Sequence, residues 1–144
     1  LQFYAGFPLR VVTAEASRGL LALGGVDATQ TGSSLLVHGR LVIVDAPCAG
    51  VHMGWAAYFA ACAAAAWLRL PTRAFLVRLP VVGLAVLAGN VLRNTLLVAG
   101  EARDGGLAPW LHDAIGLAAF ALVCGFVLSR MSSADTRPAL RLLR

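Results

Sequence analysis

The sequence predicts a mainly α, polytopic membrane bundle, and three observations carry that expectation. The 144 residues are 59% hydrophobic and only 13% charged, against about a quarter charged in ordinary soluble domains. Mean hydropathy is +0.78. Long apolar runs are broken by short polar turns, and the arginines gather at the ends of those runs. The net charge of +5 comes from 12 basic residues, all arginine, against 7 acids. Because they flank apolar segments rather than forming a stripe interleaved with aromatics, they point to membrane topology and away from nucleic acid.

The first stretch, from Phe3 to Leu23, has helical periodicity but carries Arg10, Glu15 and Arg18. Three charges inside such a span are costly against lipid. The helix is therefore expected either to lie along the interface or to pack its charged face against protein or water. Glu15 and Arg18 are three apart and can pair, and Gly24-Gly25 ends the helix. Val26 to Ser34 reads as turn. Leu35 to His38 and Arg40 to Val44 read as two short strands around Gly39, forming a small β-hairpin.

Three spanning helices follow. Val51 to Leu70 is apolar apart from His52 and Arg69, long enough for a hydrocarbon layer of roughly 30 Å. A basic turn with Arg69, Pro71, Arg73, Arg78 and Pro80 leads to a second span, Val81 to Ala99 with a few preceding residues. A third runs from Trp110 to Leu128, with Trp110 at the interface. Residues 1–130 form one membrane-embedded core and 131–144 a basic tail. Placing Arg69, Arg73, Arg78 and the tail arginines on the cytoplasmic side leaves the hairpin and the Gly100 to Pro109 loop outside. The chain begins at Leu1 without an initiator Met, which points to a segment of a longer protein.

That topology brings three chemical groups to the outer end. Pro47 suits the first turn of a helix, so Cys48 sits where unpaired N–H groups and the helix dipole favour a thiolate. It is either a nucleophile or a small buried residue at a helix–loop junction. Arg93 lies roughly 9 Å inside the outer end of the second span, and His112 opens the third. Thiol, imidazole and guanidinium together suit acyl transfer, with arginine holding a carboxylate or steadying an oxyanion. Asn90 precedes Arg93 by three on one face and is read as holding its side chain or capping a kink. Either Asp45 or Asp113 is available to orient the imidazole. Cys48 and His52, four apart, form a possible ligand pair, but a structural zinc site needs four ligands and no further cluster offers them. No metal or cofactor is expected. Cys62 and Cys124 read as packing residues, and three cysteines give no disulfide framework.

The motifs Asp45-Ala46-Pro47-Cys48-Ala49-Gly50, Asn90-Val91-Leu92-Arg93 and His112-Asp113-Ala114-Ile115-Gly116, in that order, resemble the exosortase/archaeosortase family of integral-membrane cysteine transpeptidases. The resemblance covers roughly Phe3 to Leu128. It implies Cys48 as nucleophile, His112 as the proton-transferring residue and Arg93 as the third catalytic or carbonyl-binding group, with Asn90, Asp45 and Gly50 in supporting or substrate-binding roles. It further implies a multi-pass bacterial inner-membrane enzyme whose active site faces the periplasm or exterior. Its partners would be exported proteins with a C-terminal sorting tail of the Pro-Glu-Pro type or a variant. The family's usual Cys-Ser-Gly reads Cys48-Ala49-Gly50 here, losing a hydroxyl but keeping small residues that allow close backbone approach. Family members also have more spans, which implies the C-terminal core of a larger enzyme or a reduced variant. The competing class is a non-enzymatic membrane subunit or transporter fragment in which Arg93 binds an anionic group and Cys48 is incidental.

Overall fold

The computed structural model describes residues 2–32, 34–37, 39–43, 51–102 and 107–133. Four helices and a small sheet follow in the order α1 (Gln2–Leu23), β1 (Ala28–Thr31), β2 (Ser34–Val37), β3 (Arg40–Ile43), α2 (Val51–Trp67), α3 (Thr72–Glu101) and α4 (Pro109–Ser132). Helix α3 is the axis of the molecule, packed against α1, α2 and α4.

Helix α1 packs an uncharged polar face against α3. Thr13 and Ser17 are fully buried, as are Asn90 and Asn94 of α3 to within a few per cent. Asn90 Nδ2 donates to Thr13 Oγ1 at 3.2 Å and Asn94 Nδ2 to Ser17 Oγ at 2.9 Å, each pair offset by 77 positions. A constant offset means that α1 and α3 run parallel. Ser17 also donates to the carbonyl of Val91. Apolar residues continue the ladder, since Leu21 and Val98 lie in one cluster with Ala14, Leu35 and Val37. Glu15 and Arg18 pair with each other on the exposed side. The hydroxyl face is inward because two amides are there to meet it; a buried amide without partners is costly.

Gly25, at φ +77°, closes α1. Gly25 N–H donates to Ala22 O and Val26 N–H to Leu21 O, which is the Schellman pattern, and Val26 adds its apolar contact to the cluster. The sheet that follows is a three-stranded antiparallel meander, β1-β2-β3, where the sequence reading expected two strands. Residues 28–31 are strand rather than turn. Ala28-Thr29-Gln30-Thr31 lacks the apolar alternation that marks a half-buried strand, and its pairing comes from β2, with Ala28 opposite Val37. Gln30 also donates to the carbonyls of Val11 and Gly32. Within β2 the expected alternation holds, Leu35 and Val37 buried and Leu36 exposed.

Helix α2 is shorter than the predicted Val51 to Leu70 span. It stops at Trp67 after 17 residues, about 25 Å at 1.5 Å per residue. Arg69 adopts φ +48°, and Leu70 N–H reaches Ala65 O while Arg69 N–H reaches Ala66 O, a second Schellman stop. Pro71 follows as the N-cap of α3. Among the described residues, two helices are long and apolar enough to cross a membrane, α3 and α4, not the three expected. The basic turn is correspondingly shorter: Arg73, Arg78 and Pro80 all lie inside α3. Pro80 can donate no N–H to the ladder, and one turn of neighbouring backbone is secured from outside, Tyr58 Oη donating to Leu79 O at 3.2 Å.

Helices α2, α3 and α4 close around Met53, Ala57, Ala61, Val82, Val86, Ala119, Val123 and Val127. The approach is tight at Gly89, whose missing Cβ makes room for Val123 Cγ2. The outer faces are apolar as well. Trp55, Phe59, Trp67, Leu84, Leu117 and Leu122 are all exposed. Cys62 joins that outward face, contrary to its expected packing role, and Cys124 is half-buried. Aromatic and leucine side chains outside, with hydroxyls and amides inside, fit a hydrocarbon solvent rather than water.

Candidate functional site

The contacts among α2, α3 and α4 set these three helices side by side. There, His52 and Met53 of α2, Asn90 and Arg93 of α3, and Gly116 and Phe120 of α4 line a cavity of about 270 Å³. Each residue reaches it for a local reason. His52 lies in the first turn of α2. Asn90 and Arg93 are three apart on α3 and so occupy one face. Asn90 is 1% exposed, its amide oriented by the bond to Thr13.

The Arg93 guanidinium rests on α4 where that helix has no side chain. A Cβ built on Gly116 would stand 3.2 Å from Arg93 Nε and 3.5 Å from Nη2. Only glycine leaves that backbone surface open at this approach. Gly116 follows His112 by four, so the two residues lie one helical turn apart on the same side of α4. His112 itself is half-exposed in the first turn of α4. Its Nδ1 lies 4.0 Å from Asp113 Oδ1, too far for a hydrogen bond. The adjacent carboxylate, nine-tenths exposed, thus faces solvent more than the ring.

Of the residues named from sequence, Arg93 and Asn90 therefore line one cavity, and His112 stands a turn from the guanidinium's seat. Cys48, Asp45 and Gly50 lie outside the described residues. Two contributors escaped the sequence reading. His52 was weighed only as a metal-ligand partner of Cys48, and Gly116 only as the end of a motif. Their spacing, four after Cys48 and four after His112, was the available signal. Among the described residues no three of His, Cys, Asp and Glu gather as a metal site would require.

Chemically, the cavity offers a fixed cation, an amide and an imidazole within walls of Met53, Phe120 and bare backbone. Donors held in place in this way can act on an anionic or developing-oxyanion group. A family model described as transmembrane exosortase matches residues 1–129. No curated protein and no solved structure matches the chain.

Proposed function

The chain belongs to the transmembrane exosortase family, and from that membership together with the Arg93 cavity we propose that it is a membrane-embedded cysteine transpeptidase or protease. Its substrates are exported proteins bearing a C-terminal sorting signal, cut at the outer face of the cytoplasmic membrane. The observation that carries this reading is the seat of Arg93: a guanidinium held against Gly116, one turn from His112, in a cavity lined by three helices.

In the proposed reaction the Cys48 thiolate attacks the scissile carbonyl carbon, and the negative charge that develops on oxygen is received by Arg93 and by helix N-terminal N–H groups. Collapse of the tetrahedral species breaks the C–N bond, and His112 delivers a proton to the departing amine. The acyl group then rests on sulfur as a thioester. Water or an acceptor amine attacks it, gives its proton to His112 and frees the thiolate. Asn90 keeps its place in the cavity wall through Thr13, and Asp45 and Gly50 support the cysteine's segment.

Cys48→Ala tests the reading. In cells expressing a reporter with a cognate sorting tail, the variant should insert normally and leave the tail uncut. Processing at the wild-type rate would remove Cys48 from the chemistry and the reading with it.

A further inference from the structure

Helices α3 and α4 leave a groove of about 250 Å³ along their seam, lined by Ala85, Ala88 and Leu92 from one helix and Leu122, Val123 and Phe126 from the other. None of its lining residues is charged, and Leu92, Leu122 and Phe126 are exposed. From Ala85 to Leu92 it runs roughly 10 Å along the helix axis. Gly89 meets Val123 and Arg93 meets Gly116, so α4 descends as α3 rises and the two are antiparallel. Both walls therefore reach the same end of the seam at the start of α3 and the close of α4, and each continues into an arginine. Arg78 precedes Ala85 by seven, on the same helical stripe. Arg130 follows Phe126 by four, and its guanidinium carbon lies 5.3 Å from the centroid of that ring.

We propose that this seam binds an anionic phospholipid, with an acyl chain in the groove and the phosphate between Arg78 and Arg130. The acids of the two helices, Glu101 and Asp113, stand at the opposite end, so neither helix supplies a carboxylate where the arginines lie. Arg78 Nη1 is closed to solvent and makes no hydrogen bond with the described residues. A guanidinium carries several donors and no acceptor, and leaving one unpaired away from water is costly. A phosphate oxygen satisfies it. Arg78 as a whole is only partly buried, so a headgroup has a route to it. An acyl chain matches walls of alanine, leucine, valine and phenylalanine, whereas a free phosphate would leave them bare. A neighbouring helix would use the small residues Ala85 and Gly89 but offers no phosphate to the arginines. Basic pockets between transmembrane helices are a recurring setting for anionic headgroups. The site is built from α3 and α4 alone and does not depend on the chemistry of Cys48.

Lipid titration of the purified, delipidated chain in detergent tests the assignment, read by native mass spectrometry. Dioleoyl phosphatidylglycerol and dioleoyl phosphatidylcholine share their chains and differ in net charge. The first should bind roughly tenfold or more tightly, from two arginines near the membrane surface. In Arg78→Gln/Arg130→Gln that preference should fall below about twofold, while unchanged phosphatidylcholine binding shows that the variant is folded. Arg130→Gln alone, at an exposed position, should already reduce it. Arg69→Gln/Arg73→Gln removes the same charge from the neighbouring turn and should keep the preference. Ala88→Phe fills the groove and should weaken both lipids alike. Equal affinity for the two lipids in the parent protein, or a preference that survives Arg78→Gln/Arg130→Gln, would overturn the assignment. So would an equal loss of preference in Arg69→Gln/Arg73→Gln, which marks general surface charge. An Ala88→Phe variant that spares lipid binding but splits a homodimer would also overturn it, giving the groove to a second copy.

Discussion

Replacing Gly116 probes the seat of Arg93 with a perturbation whose size is set by the structure. A methyl group at this position would lie 3.2 Å from Nε, 3.5 Å from Nη2 and 3.7 Å from Cζ of Arg93. Alanine therefore displaces the guanidinium by a few tenths of an ångström. Valine extends two further carbons, each about 1.5 Å beyond Cβ, and displaces it by an ångström or more. A 1 Å misplacement of a catalytic group costs on the order of a hundredfold in rate, about 2.7 kcal/mol of barrier. Gly116→Ala should lower kcat/KM by less than about tenfold, and Gly116→Val by about a hundredfold. Stability should move the other way for alanine, which favours a helix interior over glycine by about 1 kcal/mol. The assay is cleavage of a sorting-tail peptide by enzyme in proteoliposomes, paired with thermal unfolding in detergent. A double-mutant cycle isolates the cause: with Arg93 already changed to Gln, adding Gly116→Val should cost little more. Wild-type turnover by Gly116→Val, or an equally large loss in the Arg93→Gln background, would refute the argument.

The α1–α3 ladder and the membrane orientation each make a further prediction. Thr13→Val keeps the shape of the side chain but leaves the Asn90 amide without its acceptor in a buried interface. The expected loss is about 1 to 2 kcal/mol, read as a lower melting temperature in detergent; Thr13→Ser should recover most of it, and an unchanged transition in Thr13→Val would show that the bond contributes nothing. For orientation, Thr31→Cys in β1 and Ser132→Cys at the end of α4, each in a background free of other cysteines, should separate under a membrane-impermeant maleimide. The first should label in spheroplasts and the second only after lysis; the reverse result would invert the proposed placement of the active site.

Much of this architecture was legible because the membrane imposes a simple rule on sequence. A helix facing hydrocarbon must be predominantly apolar along its length, so α3 and α4 show as long apolar runs, broken in α3 by Asn90, Arg93 and Asn94. Gly24-Gly25 announced the end of α1 for an equally local reason, since the turn needs a positive φ at Gly25. Elsewhere the signals were weak or their cause was distant. The end of α2 at Trp67 rests on Arg69 entering the left-handed region, which no propensity for arginine foretells. Strand β1 is polar and has no period of its own, so it is recognisable only against β2. The pairs Thr13/Ser17 and Asn90/Asn94 were visible as polar residues four apart within apolar helices, but nothing in either helix names the other.

The amino-acid order by itself determined the membrane class, the helix-forming segments, the family motifs, and the candidates Cys48, Arg93 and His112. Which groups meet was decided by packing. Parallel docking of α1 on α3 fixed Asn90, the bare backbone at Gly116 received Arg93, and the packing of α2 against α3 and α4 brought His52 to the same cavity. The physical reason is one of range: hydropathy and turn chemistry act between residues a few positions apart. The enclosure of a guanidinium depends on side chains from three helices, whose separation in the chain carries no record of their separation in space.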